Sequence, residues 1–168
     1  MYRNILVLLD GSRLAESVLP WVSRIARDHG ATVTLLGVVH PFGAGYPQPP
    51  IESFGPSGER RDALLMRYLK GVAMFLKLRG VEAELVMVSG LVPGQVLAEA
   101  RERGCDLIAL LVHERATLGR GLLGAMADAA LEQSDPSLIL VFPEGTCDRW
   151  EANSAVVLGG KSAAPPNE

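Results

Sequence analysis

The sequence predicts an α/β protein: a doubly wound, five-stranded parallel sheet in the order 3-2-1-4-5 with helices on both faces. Three observations carry that prediction. Short runs of the chain are apolar at nearly every position, as strands buried on both faces are. Between them lie stretches whose apolar residues recur at helical spacing. Gly and Pro punctuate the junctions.

The elements follow in order. Ile5-Leu6-Val7-Leu8-Leu9 is a continuous apolar run that ends in Asp10-Gly11-Ser12. Ser12 suits the cap of a following helix, whose apolar face is Leu14, Val18, Val22 and Ile25 and whose stop is Gly30. Pro20 falls inside that helix and is expected to bend it, because it removes one backbone hydrogen bond. Thr32 to Val39 reads as the second strand. Residues 40–58 are rich in Gly and Pro and poor in charge, which predicts a long loop.

A helix from Glu59 to Arg79 follows, with Leu65, Leu69, Val72 and Leu76 facing the core and Gly80 ending it. Val81 to Val88 is the third strand. Pro93 opens a short helix carrying Val96, Leu97 and Ala100, closed by Gly104. Cys105 to Val112 is the fourth strand. A Gly-rich loop leads to a helix from Leu122 to Gln133, and Leu138 to Phe142 is the fifth strand. The domain is therefore expected over residues 1–143, with a tail over 144–168. In that tail Trp150 is the one bulky anchor and Ala155 to Leu158 the one apolar patch.

Composition narrows the function classes. Of the 168 residues, 16 are Lys or Arg and 19 are Asp or Glu, giving a formal charge of -3. A nucleic-acid binder is expected to show a basic excess instead. The adjacent pair Arg60-Arg61 is flanked by Glu59 and Asp62 and reads as a solvated helix start. Cys105 and Cys147 have no metal-ligand spacing, and Cys105 opens an apolar run as a buried thiol does. Arg3 is followed by only a short apolar run before Asp10, unlike a signal peptide. No apolar stretch approaches the roughly 20 residues a bilayer span needs. The expectation is a cytoplasmic protein with neither membrane nor nucleic acid as partner.

Three features bear on chemistry. Asp10, directly after the first strand, can accept hydrogen bonds from a base or ribose, or can serve only as a helix-start carboxylate. Gly119-Arg120-Gly121-Leu122-Leu123-Gly124 spells G-x-G-x-x-G before a helix, where backbone amides can hold phosphates. It lies in the last β-α unit rather than the first, which argues against a dinucleotide site. His113-Glu114 is half of a zinc-protease motif, but Thr117 stands where the second His would be, so no metal is expected.

Together these segments resemble the universal stress protein family. Ile5 to Ser12, Leu14-Ala15-Glu16 and Leu19-Pro20 are similar to the family's opening. Gly90-x-x-Pro93, Cys105-Asp106-Leu107-Ile108 and Leu118-x-Arg120-x-Leu122-Leu123-Gly124-x-x-Ala127-Asp128 resemble its second half. The resemblance implies the five-stranded fold above and dimerisation through the last strand. Some members bind ATP with a loop of form G-x-x-G-x9-G-[ST]. Here Leu111, Glu114 and Ala125 replace two of its glycines and its hydroxyl residue, and only Gly124 remains. Leu and Glu restrict the backbone that glycine would leave free to approach phosphate. Glu114 also brings a like charge, which repels an anion by about 4 kcal/mol at an intermediate dielectric before screening.

The expected function is therefore a non-catalytic, homodimeric stress-response or signalling module. Its nucleotide-type cleft is expected to bind ATP weakly or not at all. The alternative is an ATP- or AMP-binding member with slow hydrolysis, for which Asp10, His113 and Glu114 are the available groups. A third reading is a structural dimer whose cleft is closed by side chains such as Leu111. The candidate nucleotide contacts are Asp10, Gly11, Val38 and Val39 at the strand ends, with Arg115, Gly119, Arg120, Gly121, Gly124 and Ala125 in the later loop. The candidate dimer interface is Leu138-Ile139-Leu140-Val141-Phe142, an apolar edge without Lys. Self-pairing across a two-fold axis is expected there, with Ala155 to Leu158 as the rival cover for the same edge.

Overall fold

The computed structural model describes residues 1–13, 15–39, 61–89, 92–111, 137–141 and 155–158. The strands are β1 (Asn4–Leu9), β2 (Thr32–Val39), β3 (Ala83–Ser89), β4 (Leu107–Leu111), β5 (Ser137–Val141) and β6 (Ala155–Leu158). The helices are α1 (Leu19–His29), α2 (Arg61–Lys77) and α3 (Val92–Glu102), with a 3-10 turn over Ala15–Val18. Leu14, the loop 40–58 and the helix expected over 122–133 lie outside the described residues.

The sheet runs β3-β2-β1-β4-β5-β6. The pairs β1–β2, β1–β4, β2–β3 and β4–β5 are parallel. The α/β architecture and the order β3-β2-β1-β4 are as the alternation of apolar runs and helical stretches predicts. The five-stranded count needs correction: β6 joins antiparallel, with Leu138 opposite Leu158 and Val141 opposite Ala155. Part of the expected tail is thus a strand of the sheet. Ala155-Val156-Val157-Leu158 is short, apolar and holds two β-branched residues, and pairing with β5 satisfies the backbone groups on the side that faces it.

Strand alternation sorts the core into two layers. Ile5, Val7 and Leu9 of β1 pack with Val22 and Ala26 of α1 and with Leu65, Leu69, Val72 and Leu76 of α2. Leu6 points the other way and joins Leu36, Val86, Ile108 and Leu110 with Val96 and Ala100 of α3. Helices therefore cover both faces. Gly37 of β2 marks a close approach: a Cβ there would lie 2.9 Å from Leu65 Cδ2 and 3.1 Å from Leu69 Cδ1. Its missing side chain lets α2 settle onto the sheet.

Helix ends follow the residues that mark them. Gly30 has φ 65°, in the left-handed region. The Gly30 N–H donates to Arg27 O at 3.4 Å and the Ala31 N–H to Ala26 O at 2.8 Å, closing the last turn of α1. Gly80 and Gly104 end their helices in the same conformation. Pro20 differs from expectation. The chain first makes the 3-10 turn and α1 starts at Leu19, so Pro20 sits in the first helical turn. An N–H there has no intrahelical acceptor, so the proline removes no helical hydrogen bond and supplies no bend.

Candidate functional site

The strand order reverses beside β1, whose neighbours are β2 and β4. In doubly wound sheets ligands bind beyond the carboxyl ends of the strands at such a point. β1 ends at Leu9, which is registered with Gly37 of β2. Beyond this point β1 continues as the turn Asp10-Gly11-Ser12, while β2 runs on through Val38 and Val39, paired with Val88 and Ser89 of β3.

This turn is built locally. Asp10 is exposed, and one of its carboxylate oxygens accepts the Ser12 N–H at 2.9 Å. Gly11 has φ 87°, a conformation that a residue with a Cβ rarely adopts. The Ser12 hydroxyl oxygen accepts the Ala15 N–H at 3.2 Å and so caps the 3-10 turn. Val38 and Val39 are half-buried and lean into opposite core layers, Val38 toward α3 and Val39 toward α1 and α2. The two valines thus frame the end of β2 with apolar surface on both sides of the sheet.

Tyr68 of α2 reaches the same turn. Its hydroxyl donates to the Ser12 carbonyl oxygen at 3.5 Å. Burial, then the carboxylates of Glu16 and Asp10, hold the phenol well above its ordinary range, with a hydrogen bond to Glu16 acting in the same direction. Tyr68 is therefore a neutral donor beside two carboxylates. Sequence reading missed Tyr68 and Glu16. The signal available was a hydroxyl one position before the core residue Leu69, but its partner lies 56 residues away.

Leu111 belongs to the end of β4 and packs against the layer that contains α1 and α2. The position where the ATP-binding pattern has its first glycine is therefore a strand residue with a packing role. Arg115, Gly119, Arg120, Gly121, Gly124 and Ala125 lie outside the described residues, as does Phe142. Because β1 and β4 are parallel neighbours, the chain leaves β4 at the same edge of the sheet that carries Asp10.

The opposite edge is closed structurally. Asp106 accepts the backbone N–H groups of Arg3 at 2.7 Å and Asn4 at 3.2 Å. The Asn4 side-chain amide donates to Gly104 O at 3.3 Å. Cys105 is buried, as its place before an apolar strand predicts, and burial pushes its thiol up to about 11. Among the described residues, no three His, Cys, Asp or Glu side chains are grouped to hold a metal ion.

The described candidates for the dimer interface are in β5. Within the chain that edge is paired: Leu138, Ile139, Leu140 and Val141 stand opposite Leu158, Val157, Val156 and Ala155. The rival cover foreseen for the tail is the arrangement found.

Solved structures share this architecture. A universal stress protein in complex with cAMP matches with a TM-score of 0.60 and 19% identity, over 84% of this chain and 97% of that one. A universal stress protein from Archaeoglobus fulgidus in complex with dAMP matches with a TM-score of 0.54 and 20% identity, over 83% and 97%. A family protein from Burkholderia pseudomallei matches with a TM-score of 0.52 and 22% identity, over 83% and 95%. These likenesses carry the fold. No curated protein matches the chain. Among the described residues no helix is long and apolar enough to cross a membrane. The sequence model of the universal stress protein family matches residues 1–141, so the turn at Asp10, the crossover helices and the parallel sheet are those of a member: the chain belongs to the universal stress protein family.

Proposed function

We propose that this chain is a non-catalytic binding module for adenine mononucleotides, with its cleft at the carboxyl ends of β1, β2 and β4. The observation that carries the reading is Asp10: an exposed carboxylate at the switch point, held by the Ser12 N–H. One of its oxygens makes that bond, leaving acceptor capacity for a ribose hydroxyl or a base amine. Val38 and Val39 offer apolar surface beside it. Neighbours of the same fold, in complex with cAMP and dAMP, support a ligand with one phosphate.

The phosphate end is weaker. Leu111 is committed to packing at the end of β4, and Glu114 and Ala125 replace a glycine and a hydroxyl in the ATP-binding pattern. A longer phosphate chain thus gains little here, and ATP is expected to bind no more tightly than AMP. Titration calorimetry with AMP, cAMP and ATP tests this. Micromolar or tighter ATP binding, well beyond AMP, would overturn it. A ligand at 100 times its dissociation constant should also stabilise the fold by about 2.7 kcal/mol in a thermal-shift assay.

Hydrolysis would need a base and a metal-holding group near the phosphates, and the sequence offers only Asp10, His113 and Glu114 for both roles. We therefore read the module as a sensor or signalling component in a stress response. Its assembly, in this reading, is a homodimer formed at the β5 edge when that edge is available.

A further inference from the structure

We infer that the outward face of α2 is a docking surface for an acidic amphipathic helix of a partner protein. The helix has two seams. Leu65, Leu69, Val72 and Leu76 are buried against the sheet. Opposite them, Gly71, Met74 and Leu78 follow one another at the same three- and four-residue spacing. Met74 is 59% and Leu78 81% exposed. Leu78 lies one residue past α2, but its N–H donates to Met74 O at 3.0 Å and carries the helical turn on. With Gly71 and Leu78 as heptad a positions and Met74 as d, Lys70 and Lys77 both fall at g, where charge selects the partner of a helix pair. Both lysines are exposed. Phe75 is partly shielded, because the Arg79 guanidinium stands over its ring at 4.3 Å.

Gly71 gives a second argument. A glycine inside a helix lowers stability by about 0.5–1 kcal/mol relative to alanine. Packing within the chain does not account for it: among the described residues, a Cβ at Gly71 would meet nothing within 4 Å outside its own stretch of helix backbone. Gly37 differs, since a Cβ there would meet Leu65. A bare backbone beside an exposed Met and two lysines suits the close approach of a second helix, whose distance is set by the side chains at the contact. Charge then chooses the partner. Residues 61–79 hold five of the chain's 16 Lys and Arg but one of its 19 Asp and Glu, so the rest of the chain holds 11 and 18. The helix is thus cationic on an otherwise acidic protein. A second copy would bring the same lysines to the contact, and like charge disfavours it. A bilayer gains nothing from Gly71, and two exposed apolar side chains offer it little area. An acidic helix with an apolar seam meets every feature: Met74 and Leu78 by packing, Lys70 and Lys77 by charge, Gly71 by close approach.

The test uses the full chain and a labelled three-heptad peptide with Leu at a and d and Glu at e and g, whose self-pairing its own charges oppose. Fluorescence anisotropy reads binding, and circular dichroism with urea unfolding reads the fold of each variant. Wild type is expected to bind the peptide, and to bind it more weakly as salt rises. The same peptide with Lys in place of Glu is expected not to bind. Met74→Gln with Leu78→Gln, and separately Lys70→Glu with Lys77→Glu, should each weaken the acidic peptide at least about tenfold. Gly71→Gln separates docking from structure. It should raise the urea midpoint, because glutamine is the better helix former, and still weaken the peptide several-fold. Absence of binding by wild type would overturn the proposal, as would equal binding of the Lys peptide. Binding unchanged in folded Met74→Gln with Leu78→Gln would place the peptide elsewhere on the chain and remove this surface. Sedimentation with phosphatidylserine-containing vesicles, lost in Lys70→Glu with Lys77→Glu while the peptide stays unbound by wild type, would replace the helix by an anionic membrane.

Discussion

At the scale of single residues, two protonated groups tie stability to pH. Cys105 sits against β4, and burial first, then the Asp106 carboxylate, raises its thiol from an ordinary value of 9.0 to about 11, with Arg103 opposing in part. Tyr68 is raised in the same direction by burial and by Glu16 and Asp10. For both, the folded chain holds its proton more tightly than the unfolded chain does, so unfolding becomes favourable once the unfolded form begins to ionise. Their contribution is whole below pH about 9 and is lost as pH rises through the folded values. The melting temperature of the wild-type chain should thus be level near neutrality and fall from pH about 9 upward. Cys105→Ala should remove the part of the fall between pH about 9 and 11, on top of a small packing loss at all pH values. Tyr68→Phe should remove the part above pH about 10. Melting followed by far-ultraviolet circular dichroism across this range decides it: an unchanged slope in Cys105→Ala would show that the thiol is not the titrating group.

At the scale of elements, α2 on β2 offers a test in which packing and propensity predict opposite signs. Valine is a better strand former than glycine, so propensity alone predicts that Gly37→Val stabilises β2. The Leu65 and Leu69 side chains occupy the space a Cβ would need. We expect Gly37→Val to lose about 1–3 kcal/mol by overpacking, seen as a lower urea midpoint at unchanged slope. A stabilised variant would mean that α2 can lift without loss. The same contrast explains what the sequence revealed. Periodicity identified Leu65, Leu69, Val72 and Leu76 as the buried face of α2, because burial repeats with the helix. Gly30, Gly80 and Gly104 marked helix ends, because a left-handed residue is needed there. Pro20 was misplaced, since a 3-10 turn and an α-helix share one apolar pattern and only backbone hydrogen bonding separates them. β6 was legible as an apolar patch but not as a strand, because four residues carry no periodicity and their partner is chosen by an edge elsewhere. Asp10 was legible as the residue that follows an apolar run, and the structure places it at the carboxyl end of β1. Tyr68 was not, since its contact with Ser12 is long-range.

At the scale of the whole molecule, the sheet divides its labour between its two edges. The amino ends of β1 and β4 are tied by a carboxylate that serves structure: Asp106 accepts two backbone N–H groups from Arg3 and Asn4. The carboxyl end of β1 carries Asp10, which is exposed and accepts the local Ser12 N–H. Two aspartates, each at a strand end, are therefore expected to fail in opposite ways. Asp106→Ala leaves two strand-end amides without their acceptor and should lower stability by about 1–3 kcal/mol, while the affinity for AMP stays within about twofold because the two ends are separated by the full length of β1. Asp10→Ala removes one exposed local bond and should change stability by less than about 1 kcal/mol, but it should weaken AMP at least tenfold if the carboxylate accepts from the nucleoside, a loss of about 1.4 kcal/mol. Urea unfolding and calorimetry on the two variants form the comparison. Asp10→Ala with unaltered AMP affinity would remove the carboxylate from the site. Asp106→Ala with AMP weakened as much as in Asp10→Ala would show that the two ends of the sheet are coupled, and that ligand binding depends on how tightly β1 and β4 are held together at the edge far from the ligand.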